Sequence, residues 1–208
     1  MSRTFTISTK PYGDCTLYNK KNFTINPGLT ILVGCNGAGK TTMLNHIKYE
    51  LEENEIPVFQ YDNVHDGGSN SMSKAGFYGH IDLLANLFCS SEGEKISRNI
   101  GQTAGQIGGF VSKNSNKSEI WILFDAIDSG FSIDNIVETK RDLFETIIED
   151  CGNRNIDVYI VVSANSYEMA CGEQCFDVWS GEYISFENYD EYKQYILKTR
   201  KRKDKRYK

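Results

Sequence analysis

The segment from Gly34 to Thr41 limits the folds open to this chain more than any other feature. Its sequence, GCNGAGKT, fits the pattern G-x-x-x-x-G-K-[ST] of a phosphate-binding loop. A short run of aliphatic and β-branched residues, 29–33, precedes it, and residues 41–51 carry apolar side chains at helical spacing. The strand, loop and helix that such a loop requires follow in order. The sequence therefore predicts a site for the phosphates of a nucleoside triphosphate.

The chemistry of this loop assigns a role to each of its polar residues. Glycines let consecutive backbone N–H groups curve around a phosphate at the start of a helix, where the helix dipole favours negative charge. We expect Lys40 to bridge the β- and γ-phosphates, Thr41 to ligate Mg²⁺ and Thr42 to reach the α-phosphate. The predicted cofactors are ATP and Mg²⁺. The residues expected to line the nucleotide are Asn36, Gly37, Ala38, Gly39, Lys40, Thr41 and Thr42.

A second candidate residue, Asp125, ends the strongest buried-strand signal in the chain, IWILF at 120–124. Ligands of parallel sheets bind at the carboxyl ends of the strands. We therefore expect this carboxylate to hold Mg²⁺ through water, beside Thr41. The alternative is an aspartate that only caps a turn at the strand end.

Strand-like and helical segments alternate along the chain. The predicted strands are 3–8, 22–25, 29–33, 56–61, 120–124 and 158–162, and the predicted helices are 41–51, 133–148 and 189–201. This order is typical of an α/β domain of the P-loop NTPase kind, with a mostly parallel sheet flanked by helices. We expect the first two strands to form an antiparallel N-terminal edge of that sheet.

Charge is distributed unevenly. The chain has a net charge of −5, yet residues 198–208 hold eight Lys or Arg against the single Asp204. Such a basic tail can contact DNA or an acidic partner, or it can be a solvated end. The sequence has no apolar run long enough to cross a bilayer and no secretory signal, so we expect a cytoplasmic protein without a membrane partner.

Three blocks of the sequence carry a resemblance to a known family. They are VGCNGAGKTTML at 33–44, SEGE at 91–94 and ILFDAIDSGFS at 122–132. In this order and spacing they resemble the ABC-type ATPase heads of the SMC, RecF and RecN group, over roughly two thirds of the chain. The resemblance implies an ABC-type ATP-binding domain at 1–197, followed by the basic tail at 198–208.

The resemblance also implies an ATP-dependent homodimer. In that family the signature sequence of one subunit caps the γ-phosphate bound to the other, and Ser91, Gly93 and Glu94 match it, whereas Glu92 departs from the usual glycine. The alternative is that this segment only caps a helix. About fifty residues separate Thr41 from Ser91, too few for coiled-coil arms, so the chain resembles a compact, armless head of the kind that bacteriophages encode. DNA recombination, repair or replication is the implied setting.

Ala126 is the main departure from the family pattern, which places a glutamate directly after the metal-site aspartate to polarise the attacking water. A missing general base lowers the rate by about two to four powers of ten. Three explanations stay open: a natural slow switch, a glutamate replaced deliberately to trap ATP, or Asp128 in the role of base. By resemblance, Asn165 takes the position of the γ-phosphate sensor, and with Lys40 and Asp125 it completes the set of catalytic candidates.

Several further assignments follow from the resemblance. Gln60 is the candidate glutamine ligand of the metal, and Tyr12 or Tyr18 is the candidate for stacking on adenine, with ordinary strand packing as the alternative. Two rival functions stay open. One is an ATP-gated binding module that does not hydrolyse ATP. The other is a P-loop nucleotide kinase, which the single arginine between Lys40 and Lys140, Arg98, disfavours.

Overall fold

The computed structural model describes residues 1–13, 15–62 and 92–207. The strands are β1 (Arg3–Thr6), β2 (Asn22–Ile25), β3 (Gly28–Val33), β4 (Val58–Asp62), β5 (Glu119–Asp125), β6 (Asp157–Ser163), β7 (Gln174–Asp177) and β8 (Glu182–Ile184). The helices are α1 (Lys40–Glu53), α2 (Glu92–Lys113), α3 (Ile133–Glu138), a π-helical segment (Thr139–Glu145), α4 (Thr146–Asn153), α5 (Tyr167–Ala170) and α6 (Tyr189–Asp204), followed by a 3-10 turn (Lys205–Tyr207).

Within the described residues the main sheet has six strands in the order β4-β5-β6-β3-β7-β8. The neighbouring strands are parallel from β4 to β7, and only the β7–β8 pair is antiparallel. The prediction of an α/β domain with a mostly parallel sheet is therefore confirmed.

Successive side chains of each central strand pack alternately into two separate hydrophobic cores. In β5, Ile120, Ile122 and Phe124 belong to one core and Trp121 and Leu123 to the other. Helices α2 to α4 cover the first face and α1 covers the second. Because both faces are buried, the strand is apolar without interruption, which explains its strong signal in the sequence.

The N-terminal strands depart from the prediction. They pair with each other in antiparallel fashion, but they form a separate two-stranded sheet and do not extend the edge of the main sheet. Their inward side chains pack over the face that α1 covers, where the Phe5 ring meets Trp121 edge-on at 5.2 Å and Trp121 stacks on Tyr159 at 4.0 Å. The aromatic side chains of β1 and β2 gain more by lying on this face than by lengthening the sheet. The antiparallel edge strand is β8.

No described helix has both the length and the apolar character needed to cross a bilayer.

Candidate phosphate-binding site

The loop between β3 and α1 requires glycine at two positions. Gly34 has φ of 150°, and a Cβ on it would lie 2.9 Å from the Cβ of Ala38. Gly39 precedes the first residue of α1 with φ of 110°, and a Cβ there would lie 2.7 Å from Leu17 Cδ2. Any side chain at either position would collide and strain the backbone. The glycines of the sequence pattern thus correspond to a tightly curved loop at the start of a helix.

Lys40 turns back into this loop. Its side chain is buried, and Nζ donates a hydrogen bond of 2.8 Å to the carbonyl oxygen of Gly34. Burial lowers the pKa of Lys40, while the nearby Cys35, Asp128 and Asp125 act in the opposite direction. The hydrogen bond to Gly34 holds the ammonium group within the loop, near the carboxylates of Asp125 and Asp128.

Thr41 and Asp125 meet although they are 84 residues apart in the chain. Thr41 Oγ1 donates to Asp125 Oδ1 at 3.2 Å, and Ser163 Oγ donates to the same carboxylate oxygen. Ser163 also accepts the backbone N–H of Ala126 at 2.9 Å. The register of the parallel strands brings these groups together, because Asp125 at the end of β5 pairs with Ser163 at the end of β6.

The cluster of Thr41, Asp125 and Ser163 offers some, but not all, of the ligands that Mg²⁺ needs. Threonine hydroxyl and aspartate carboxylate oxygens are ligands that Mg²⁺ prefers, and the ion is commonly held by one or two such groups together with phosphate oxygens and water. Among the described residues, no three His, Cys, Asp or Glu side chains are grouped so as to hold a metal by themselves. The residues therefore fit a metal that arrives with a phosphate ligand.

Asp128 fixes the loop that follows β6. Its Oδ2 atom accepts the backbone N–H groups of Asn165 at 2.8 Å and of Ser166 at 2.7 Å, and it also accepts the Ser166 hydroxyl at 2.7 Å. The side chain is buried. These contacts hold Asn165 beside the phosphate loop and commit one carboxylate oxygen of Asp128 to the backbone.

Ala126 lies between the two aspartates in a left-handed conformation, with φ of 53°. Its backbone N–H is bonded to Ser163, and its methyl group faces the same cleft as Asp125. The position therefore contributes no acid or base to the cleft.

A cleft of about 340 Å³ runs along the loop. The predicted residues that line it are Asn36, Gly37, Gly39, Lys40, Thr41, Thr42, Asp125 and Asn165. Ala38 is the exception, because it is buried beneath the loop, where its N–H bonds the carbonyl of Cys35 at 2.9 Å. Ser163 lines the cleft too and was missed by the sequence analysis. The only signal for it was its position at the end of an apolar strand.

The two tyrosines considered for stacking on adenine differ in exposure. Tyr18 is 1% exposed and donates to the carbonyl of Gly39 at 2.8 Å, so its ring supports the loop from below. Tyr12 is 70% exposed, lines the cleft and shares a 3.1 Å hydrogen bond with Thr42. Of these two tyrosines, Tyr12 is the one that is exposed in the cleft, and its stacking on a base stays a prediction.

The predicted metal ligand Gln60 has no described contact with Thr41 or Asp125. It pairs with Leu123 in the sheet, and its Nε2 atom donates to Asn45 Oδ1 at 3.3 Å, one helical turn along α1 from Thr41. The strand continues two residues further, and it is Asp62 that pairs with Asp125. Of the proposed signature, Ser91 lies outside the described residues, while Gly93 and Glu94 fall in the first turn of α2. Their role toward a partner subunit stays a prediction.

The described part of the basic segment, residues 198–207, is not a free tail. Residues up to Asp204 complete α6, and the helix lies on the phosphate loop. The hydroxyl of Thr199 accepts the N–H of Cys35 at 3.0 Å, and Arg206 donates to the carbonyl of Leu17 at 3.3 Å. The guanidinium groups of Arg202 and Arg206 lie 4.8 and 5.2 Å from the Trp179 ring centre. Residue 198 lies inside α6, so the helix continues without a break across the predicted boundary, and the division at that residue stays a prediction.

No protein-family model matches this chain, and no curated protein sequence matches it either. The function is therefore argued from the geometry of the site and from the resemblance of its motifs.

Proposed function

We propose that this chain binds ATP with Mg²⁺ and acts as an ABC-type ATPase head of the P-loop NTPase class. The observation that carries the proposal is the 3.2 Å contact between Thr41 and Asp125, at the end of a glycine loop that opens a helix. A glycine-rich turn that matched the pattern by chance would have no reason to face a strand-end carboxylate. Here the loop, the lysine, the hydroxyl and the carboxylate converge on one cleft.

The roles of the residues follow from their places along that cleft. Backbone N–H groups of the loop and the ammonium of Lys40 bind the phosphates, and Thr41 with Asp125 would hold Mg²⁺. The metal, when bound, neutralises charge on the phosphate oxygens. Tyr12 covers the end of the cleft next to Thr42, where an adenine ring stacks. Asn165, whose backbone is held by Asp128, also lines the cleft, and its side-chain amide donates to the terminal phosphate.

Dimerisation is part of the proposal. Ser129, Gly130 and Ser132 follow Asp125 and Ala126 in the chain and are exposed. They resemble the loop that contacts the partner subunit near its nucleotide in the family that the sequence resembles. Two copies of the chain would enclose two ATP molecules. DNA is the proposed client. The basic groups that would contact its phosphates are the exposed Lys201 on α6 and Lys205 in the 3-10 turn that follows.

Binding of ATP is tested by isothermal titration calorimetry with Mg²⁺. Lys40→Ala should abolish measurable binding, and Asp125→Asn should weaken binding in the presence of Mg²⁺ far more than in its absence. Lys48→Ala, a change of a half-buried lysine on the same helix that pairs with Glu52, is the matched control and should bind as the wild type does. An affinity for ATP that Lys40→Ala leaves intact would contradict the proposal.

Light scattering tests the dimer with the same proteins. The wild type should change from monomer to dimer on addition of ATP and Mg²⁺, and the Lys40→Ala variant should not. A wild type that stays monomeric when saturated with ATP contradicts the enclosed pair of nucleotides.

A second candidate function, an ATP-gated module with negligible hydrolysis, is favoured by the environment of residue 126. Ala126 supplies no base, and Asp128 Oδ2 is engaged by three donors, which leaves only the buried Oδ1, without a partner among the described residues, as a candidate base. Turnover of the wild type should then be very slow, and Ala126→Glu should raise it by at least tenfold, with the Lys40→Ala variant as the background. Rapid turnover by the wild type would exclude the module and identify another base.

A further inference from the structure

A second cleft of about 350 Å³ lies on the other side of the phosphate loop, between the loop and α6. Its polar lining comprises Asn36 and Asn165 together with Arg200 and Lys203. Asn36 and Asn165 also line the phosphate cleft, so the two clefts meet at these residues. The lining contains two cations and no carboxylate, which favours an anionic ligand.

The helix that carries the two cations is fixed on the body. Besides the contact of Thr199 with the loop, the hydroxyl of Tyr195 donates to Asp177 Oδ1 at 2.8 Å and lies 3.2 Å from the carbonyl oxygen of Val33. Two further arginines of the same segment lie over Trp179. Contacts on both sides of residue 200 thus hold one face of α6 against the phosphate loop.

Arg200 and Lys203 are one turn apart on that face, so their side chains are neighbours. Arg200 is exposed, and no ion pair or hydrogen bond engages it within the described residues. Lys203 approaches the loop closely, since a Cβ placed on Gly37 would lie 3.3 Å from its Cδ atom. Its only ion pair with a described residue is a 3.6 Å contact with Asp204, the next residue in the chain. Both cations remain available to a ligand at the loop.

The residues shared by the two clefts identify that ligand. Tyr12 and Thr42, which share a hydrogen bond, are the residues that the proposed function assigns to the base and the α-phosphate. Asn165, which the same proposal assigns to the terminal phosphate, lines both clefts. The terminal phosphate of a triphosphate therefore points to the border shared with the second cleft. A diphosphate is shorter by one group and does not extend to this border.

We propose that α6 is an arm of the nucleotide site, in which Arg200 and Lys203 bind the terminal phosphate of a nucleoside triphosphate and so distinguish it from a diphosphate. The inference rests on the proposed ATP binding and adds two phosphate-binding residues to it. Charge-assisted hydrogen bonds from the two side chains to phosphate oxygens raise the affinity for ATP by about tenfold to a hundredfold.

The test compares the dissociation constants of ATP and ADP, each with Mg²⁺, by isothermal titration calorimetry. The double variant Arg200→Gln with Lys203→Gln should bind ATP at least tenfold more weakly than the wild type, with ADP affinity changed less than twofold. The control, Lys113→Gln with Lys117→Gln, removes the same charge from exposed positions at the end of α2 and should change neither constant. The pair Arg200→Lys with Lys203→Arg keeps both charges and should restore most of the preference for ATP.

The outcomes separate the inference from the proposed function. A wild type that binds neither nucleotide overturns both. A wild type that binds ATP, with a double variant whose ATP to ADP affinity ratio is unchanged, overturns the role of α6 alone. Equal losses for ATP and ADP also overturn it, because they show that the helix supports the loop without contacting the terminal phosphate. Circular dichroism of the double variant shows whether α6 remains folded. If α6 unfolds in that variant, the charge-preserving pair decides: a retained preference for ATP supports the inference, and a lost preference overturns it.

Discussion

The backbone N–H of Cys35 donates a 3.0 Å hydrogen bond to the side-chain hydroxyl of Thr199, which joins the phosphate loop to the C-terminal helix across 164 residues of sequence. Both residues are buried. The same hydroxyl donates to the carbonyl of Ile196 at 2.8 Å, so its hydrogen and one of its lone pairs are both used. A buried N–H without a hydrogen-bond partner lowers the free energy of unfolding, and the hydroxyl of Thr199 is the partner of the Cys35 N–H.

Thr199→Val tests this link. Valine has nearly the shape of threonine but offers no acceptor, so the N–H of Cys35 would stay buried and unpaired, and the free energy of unfolding should fall by about 1–3 kcal/mol. Urea denaturation followed by circular dichroism measures the change. Thr199→Ser keeps the hydroxyl and is the matched control, with a smaller loss. Equal stabilities for the valine variant and the wild type would contradict the coupling of helix to loop.

Ala126→Gly should stabilise the protein. Ala126 has φ of 53°, a region that costs residues with a Cβ roughly 1 kcal/mol and that glycine enters freely. The gain is partly offset by the extra freedom of glycine in the unfolded chain, so we expect an increase of about 0.5 kcal/mol in the free energy of unfolding. Glu55, exposed and with φ of 55°, is a second site for the same effect. Ala164→Gly, at a buried residue outside the left-handed region, should destabilise instead.

The parts of the fold that the sequence predicts are those with a strong local signal. The strands β5 and β6 are apolar runs buried on both faces, and α1 has the apolar spacing of a helix packed on one side. The short strands β7 and β8 were not predicted. The four residues of β7 gain their strand conformation from pairing with β3, which is a tertiary contact that no local pattern encodes.

In the candidate site, too, the residues with a local sequence signal were predicted and those that depend on tertiary contacts were missed. Lys40, Thr41 and Asp125 were predicted because a motif or a strand end marks each of them. Ser163 was missed, because a serine at the end of a strand is common and its meaning depends on the pairing of β6 with β5. The contact of α6 with the loop was missed because the contacting residue, Thr199, is a single polar side chain in the Lys- and Arg-rich half of the helix, and no hydrophobic pattern marks it.

The buried thiol of Cys175 should make the protein less stable in alkaline solution. Burial raises the pKa of its thiol from 9.0 to about 12, so the folded protein keeps a proton that the unfolded chain releases above pH 9. The contribution of this thiol to stability is therefore complete below pH 9 and is lost as the pH rises toward 12. Between pH 8 and pH 10 the loss amounts to about 1.4 kcal/mol.

Urea denaturation at several pH values, in the presence of a reductant, measures this effect. In Cys175→Ala the free energy of unfolding should fall less steeply between pH 8 and pH 10 than in the wild type. Cys171 is exposed, and Cys171→Ala should keep the slope of the wild type. Identical slopes for all three proteins would show that the Cys175 thiol is not protected from ionisation.

Tyr12 should contribute to recognition of the base and not of the phosphates. Its ring is 70% exposed at the Thr42 end of the cleft, and stacking of a base on an aromatic ring contributes about 1–3 kcal/mol. Tyr12→Leu should therefore weaken ATP binding by about fivefold to a hundredfold, since 1.4 kcal/mol corresponds to tenfold. Binding of inorganic tripolyphosphate, which has no base, should change less than twofold. Tyr12→Phe keeps the ring but loses the hydrogen bond to Thr42, so ATP affinity close to that of the wild type would assign the effect to stacking. Equal losses for ATP and tripolyphosphate in the leucine variant would instead place Tyr12 among the groups that shape the phosphate loop.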